Sequence, residues 1–158
     1  MPVDNPTYRV QARTPETYLG NWRIANIASP ETIRQDVSTD YSIPISIPSN
    51  YFALGGTWTV GYEYARPAPK AKLSFRFDAA EVFLVMRPKT KGVAGGFRVI
   101  LDGKPLSVDN AGEDVKNGVV KVDVDRLYKL IKLTAAGEHT LELEFLDGTI
   151  EVYAFTFG

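Results

Sequence analysis

"TLELEFLDGTIEVYAFTF", Thr140–Phe157, decides the fold. Leu141, Leu143 and Phe145 alternate with Thr140, Glu142 and Glu144, the period-two pattern of a strand with one dry and one wet face. Asp147-Gly148 marks a tight turn, and "TIEVYAFTF" returns in strand-favouring residues. The two runs are predicted to pair as a β-hairpin.

The same period continues toward the N-terminus. "VVKVDV" gives Val120, Val122 and Val124, and "GFRVILDGKPL" gives Phe97, Val99 and Leu101 before a turn at Asp102-Gly103. "AKLSFRFDA" points Leu73, Phe75 and Phe77 inward, with Ser74, Arg76 and Asp78 outward. "VFLVM", Val82–Met86, is apolar throughout and reads as a central strand covered on both faces. "TWTVGYEYA" sets Trp58, Val60, Tyr62 and Tyr64 on one unusually aromatic side. "RLYKLIKL", Arg126–Leu133, fits a helix face through Leu127, Leu130 and Ile131, but its length and β-rich surroundings favour a strand.

Pro44 and Pro48 interrupt Ile43, Ile45 and Ile47 and demote that run to an edge strand or extended loop. "TPETYLG", Thr14–Gly20, carries an N-cap threonine, a proline at the first helical position and an acid in the first turn, then a glycine stop, which predicts a short helix or turn. "SPET" at 29–32 is a second turn starter. Residues 1–13 are polar with Pro2 and Pro6 and read as a lead-in or linker, leaving 14–158 as one domain. Many short strands, Gly- and Pro-bearing turns and almost no helix predict an all-β fold, an antiparallel β-sandwich of jelly-roll type.

Composition narrows the function. The chain has 158 residues with 18 basic and 19 acidic side chains, a net charge of −1 and no cysteine. No basic surplus drives nucleic-acid or anionic-membrane binding, and there is no thiolate, disulfide or zinc-thiolate chemistry. No apolar run approaches the length of a membrane span, and the first ten residues are too polar for a signal-peptide core, so a soluble chain without direct membrane insertion is expected.

Catalytic chemistry finds little support. The one imidazole, His139, lies between a Gly-containing turn and a strand, with no G-x-S-x-G, and reads as a strand-end surface residue. Glu63, Asp78, Glu142 and Glu144 occupy outward strand positions and read as solvated. "DNAGED", Asp109–Asp114, is oxygen-rich but matches no calcium loop, and Gly55-Gly56 and Gly95-Gly96 lack the rest of a phosphate loop. No catalytic residue, metal or cofactor is expected. What remains is an aromatic and arginine set: Tyr18, Trp22, Tyr51, Phe52, Trp58, Tyr62, Tyr64 and Tyr128 with Arg23, Arg76, Arg98 and Arg126. Sugar rings stack their C–H faces on aromatic rings and pair their hydroxyls with planar or charged groups, so this set suits a lectin-like site, while buried rings would be core.

In this order, "TPETYLG", "YFALGGTWTVG", "LSFRFDAAEVFLVMRP", "FRVILDG", "RLYKLI" and "LEFLDGTIEVYAFTFG" resemble the C-terminal module of DipZ-type thiol-disulfide proteins, over about Thr14 to Gly158. There, a membrane-embedded electron-transfer part precedes an extracytoplasmic thioredoxin-like domain and then a β-sandwich similar to carbohydrate-binding modules. The Cys-x-x-Cys part has no counterpart in this sequence, so the resemblance implies no redox activity for this chain. It implies a non-catalytic accessory module in the periplasm or cell envelope, binding a saccharide or cell-wall glycan. The alternative it implies is an interaction or scaffolding domain that docks onto a thioredoxin-like partner. The candidate ligand-binding residues are Tyr18, Arg23, Arg76, Arg98, Arg126 and Tyr128, with Trp22 and Trp58 as stacking platforms.

Overall fold

The computed structural model describes residues 12–158; of the lead-in read over residues 1–13, residues 1–11 lie outside them, and the Arg13 amide donates to the Asp78 carbonyl at 2.9 Å. Eleven strands follow one another: β1 (Thr17–Tyr18), β2 (Ser38–Tyr41), β3 (Phe52–Val60), β4 (Ala65–Pro67), β5 (Lys72–Pro88), β6 (Gly95–Leu101), β7 (Lys104–Pro105), β8 (Val115–Lys116), β9 (Val119–Val122), β10 (Arg126–Phe145) and β11 (Ile150–Phe157). Among the described residues the only helical element is a 3-10 turn at Val108–Asn110. All strand pairs are antiparallel, and the fold is an antiparallel β-sandwich of jelly-roll type.

Two long strands organise it. β5 and β10 run side by side from Arg126↔Met86 to Glu144↔Lys72, with register breaks between Lys129 and Ile131 and between Lys132 and Gly137. Such irregularities bend strands, which lets one pair serve both layers. The first half of β5 lies between β10 and β3, and its second half lies between β10 and β11.

The predicted hairpin at the C-terminus does not exist. β10 turns at Asp147-Gly148 into β11, but β11 pairs with β1, β4 and the second half of β5, while the end of β10 pairs with β5 and β6. Both faces of the alternation are real, with Leu141, Leu143, Phe145, Ile150, Val152 and Phe155 buried. Partner choice differs because the two apolar faces enclose the core from opposite layers, with Phe75 of β5 edge-on to Phe155 of β11 at 5.0 Å.

The predicted helix or turn at Thr14–Gly20 is also replaced. Thr17 and Tyr18 add to β11 as β1, opposite Phe155 and Ala154. Thr14 caps nothing: its hydroxyl accepts from the Asp78 amide at 2.6 Å and donates to Asn50 Oδ1 at 2.7 Å. One isolated helical turn is unfavourable, whereas the strand edge offers hydrogen bonds and a buried seat for Leu19. Ser29 exchanges hydrogen bonds with the Leu54 backbone (2.8 and 2.9 Å). Residues 42–50 are a loop rather than a strand. Val82–Met86 lies centrally, yet Phe83 and Val85 are only half-buried.

Candidate functional site

The segment after β1 builds a cleft. Gly20 approaches the Tyr62–Glu63 backbone so closely that a Cβ would overlap it. The Asn21 and Trp22 amides donate to the Gly61 and Tyr62 carbonyls at 2.8 and 3.0 Å, locking this segment to the β3–β4 turn. Trp22 is consequently held 56% exposed, with the Tyr62 ring stacked against it at 5.6 Å and 17°. The Arg23 guanidinium lies 4.5 Å from the Trp22 ring and 4.4 Å from the Tyr18 ring, giving two cation–π contacts. Tyr18 in turn donates to Glu16, which raises its pKa. The recess has a volume of about 180 Å³ and is lined by Tyr18, Trp22, Tyr62, Val85, Tyr153 and Ala154, with Glu63 and Arg23 as polar members.

Beside Tyr153 sits a buried carboxylate. Glu151 is 3% exposed and is gripped by Arg66 (2.5 Å) and by Arg87 (2.8 Å), its cross-strand partner on β5. Arg66 also donates to the Tyr64 hydroxyl at 3.1 Å, and the Arg87 guanidinium lies 5.2 Å from the Tyr153 ring. Burial pushes the Tyr153 phenol up to about 12, against the pull of Arg87.

A second, larger hollow of about 480 Å³ lies where the 42–50 loop crosses β5 and β10. Glu138 accepts from Arg76 (3.0 and 2.5 Å) and from Ser49 (2.5 Å), and Arg76 also donates to the Ile47 carbonyl at 3.1 Å. His139 Nδ1 stands 2.6 Å from Asp102, whose other oxygen accepts from the Thr140 amide at 2.8 Å. Burial opposes ionisation of Asp102, but His139 and that amide outweigh it and hold the carboxyl below its usual value. The Ser49 hydroxyl, then Arg76, hold Glu138 low as well.

The candidate residues named from the sequence therefore scatter. Tyr18, Trp22 and Arg23 meet in the cleft, and Arg76 lies in the other hollow. Arg98 is an exposed residue of β6, away from both. Arg126 pairs with Asp114 (2.8 Å) and lies 3.9 Å from the Tyr128 ring at the start of β10. Tyr128 is fully buried, its hydroxyl donating to the Val124 carbonyl at 2.7 Å, so it is a structural strap and not a ligand contact. Trp58 is corrected likewise: it is 0% exposed, its indole N–H donates to the Gly55 and Lys72 carbonyls, and it meets Phe145 edge-on at 5.2 Å, which leaves no face for a ligand. Tyr62 and Tyr64 do not continue the Trp58 face, because β3 ends at Val60 and both stand in the following turn. His139 is a mid-strand residue of β10 rather than a strand end.

Residues 14–158 match the family described as thioredoxin like C-terminal domain. The chain belongs to that family. Protein DipZ of Mycobacterium bovis (strain ATCC BAA-935 / AF2122/97) and Protein DipZ of Mycobacterium tuberculosis (strain CDC 1551 / Oshkosh) are each 30% identical to it over 148 residues, 93% of this chain and 19% of theirs. The chain thus spans about a fifth of the length of these curated relatives. A family two carbohydrate esterase from Cellvibrio japonicus shares the fold over 67% of this chain and 30% of its own, at TM-score 0.54 and 16% identity. Within this thioredoxin like C-terminal domain, the residues that the sequence reading passed over are Arg66, Arg87, Glu151 and Tyr153, and Glu63, read there as an outward strand residue, stands in the turn after β3. Only the β5–β11 register brings Glu151 opposite Arg87; in the sequence, Glu151 looks like an ordinary outward strand residue.

Proposed function

We propose that this domain is a non-catalytic accessory module that holds a saccharide in the aromatic cleft, outside the cytoplasm. The observation that carries this reading is Trp22, exposed in a recess walled by three tyrosines, with Glu63 and Arg23 at hand for hydroxyls. Pockets for drug-sized ligands run to about 300–1,000 Å³, so a cleft of about 180 Å³ takes one ring of a glycan rather than a whole chain. Titration calorimetry of the whole chain against oligosaccharides and cell-wall fragments tests the reading. A saturable component of the heat that is lost in a folded Trp22→Ala variant is expected, and total heat unchanged by that substitution contradicts it.

A second reading, docking onto a thioredoxin-like partner, is favoured by the Arg66–Glu151–Arg87 cluster. It continues the cleft beyond Tyr153 into a wider surface of arginine and aromatic residues, the types enriched at protein interfaces. Binding of a thioredoxin-like protein that Arg87→Ala weakens, together with silence toward every saccharide, would put docking in place of glycan binding.

A further inference from the structure

We infer that the hollow beneath the 42–50 loop is a second binding site, separate from the aromatic cleft, for an uncharged polyhydroxylated ligand of the saccharide class. Its walls are already assembled: Arg76 and Glu138 tie the loop down through Ile47 and Ser49, so binding needs little ordering. Its volume of about 480 Å³ falls in the range of small-ligand pockets.

The unused hydrogen-bonding capacity defines the ligand. An ionised carboxylate offers about four lone-pair positions. Glu138 receives three hydrogen bonds, from Arg76 twice and from Ser49, which leaves about one position free. Asp102 binds His139 and the Thr140 amide, leaving about two. His139 Nε2 and the hydroxyls of Ser46 and Thr140 add groups that donate or accept. Charge is nearly balanced, since Arg76 answers Glu138 and Lys104 lies close enough to act on Asp102. No surplus cation remains to hold phosphate or sulfate. Alternating donors and acceptors without net positive charge match vicinal hydroxyls, and Ile43, Pro44 and Ile47 supply apolar contact for a ring's C–H groups.

His139 is the single histidine, so its imidazole signals in NMR report on this site alone, while the Trp22 indole reports on the cleft. The chain would be titrated with cellotriose, maltotriose and chitotriose, and separately with inorganic phosphate. The expected result is saturable movement of the His139 ring and Thr140 amide signals with at least one saccharide, unchanged in Trp22→Ala. Affinity should fall about tenfold in Asp102→Asn, the worth of one charge-assisted hydrogen bond. Glu138→Gln gives an independent second variant, and the dispersion of the remaining amide signals verifies the fold of each. The inference is overturned if no saccharide moves these signals, if their movement is lost in Trp22→Ala, or if phosphate moves them equally. Because the two reporters are separate, failure here leaves the cleft reading standing, and failure at Trp22 leaves this one.

Discussion

Two tryptophans of similar sequence surroundings do opposite work. Trp58 follows a double glycine inside a strand and anchors the core, and Trp22 follows Gly20-Asn21 and faces solvent. Trp58→Ala is expected to lower stability by about 3–5 kcal/mol, the cost of emptying a large aromatic site. Trp22→Ala should lower it by about 1 kcal/mol or less, the scale of one stacking contact, and urea denaturation of both variants checks the contrast. Tyr41 supplies a third test at this scale. Its hydroxyl is the only buried side-chain polar atom among the described residues without a partner. Removing an unsatisfied buried group relieves its desolvation cost, so Tyr41→Phe should raise the unfolding free energy by about 1 kcal/mol. An unchanged or lowered urea midpoint would contradict that.

At the scale of elements, the long strands were legible in the sequence, whereas the short strands such as β1 and β2 and the strand partnerships were not. The alternation in Leu73–Phe77, Phe97–Leu101 and Leu141–Phe145 names each inward face correctly because it depends only on the period of the backbone, but Ser74, on the outward face of β5, is itself buried beside the polar hollow. Asp147-Gly148 looks like a hairpin turn locally, yet the residue that β11 needs opposite Glu151 is Arg87, far away in sequence. Thr14-Pro15-Glu16 has the chemistry of a helix start, but the exposed edge of β11 outbids one turn of helix. The cleft was half visible for the same reason: Tyr18, Trp22 and Arg23 are near neighbours in sequence, whereas Tyr62, Val85 and Tyr153 arrive through tertiary pairing. A pH prediction belongs here, because Asp114 ties the segment before β8 to the start of β10. The Arg126 guanidinium, and then the Lys129 amide, hold its carboxyl below the ordinary 3.8. A depressed folded pKa adds stability above the unfolded value and loses it as pH falls through the folded value. The stability difference between the parent chain and Asp114→Asn should therefore shrink between about pH 5 and about pH 2. A constant difference across that range would show that Asp114 titrates as it does when unfolded.

On the scale of the whole molecule, β5 and β10 hold both layers together and so set two different recesses on one sandwich. The aromatic cleft lies by the edge where β1 joins β11, and the polar hollow lies over the other halves of β5 and β10. Its curated relatives named DipZ are about five times as long as this chain. The central claim is that the cleft around Trp22 receives a sugar ring. Two indole N–H signals are expected in the NMR spectrum, one from solvent-exposed Trp22 and one from Trp58, whose N–H is bonded to backbone carbonyls. During titration with a binding oligosaccharide the Trp22 signal should move saturably while the Trp58 signal stays in place. A Trp22 signal that stays in place with every oligosaccharide that binds would contradict the account.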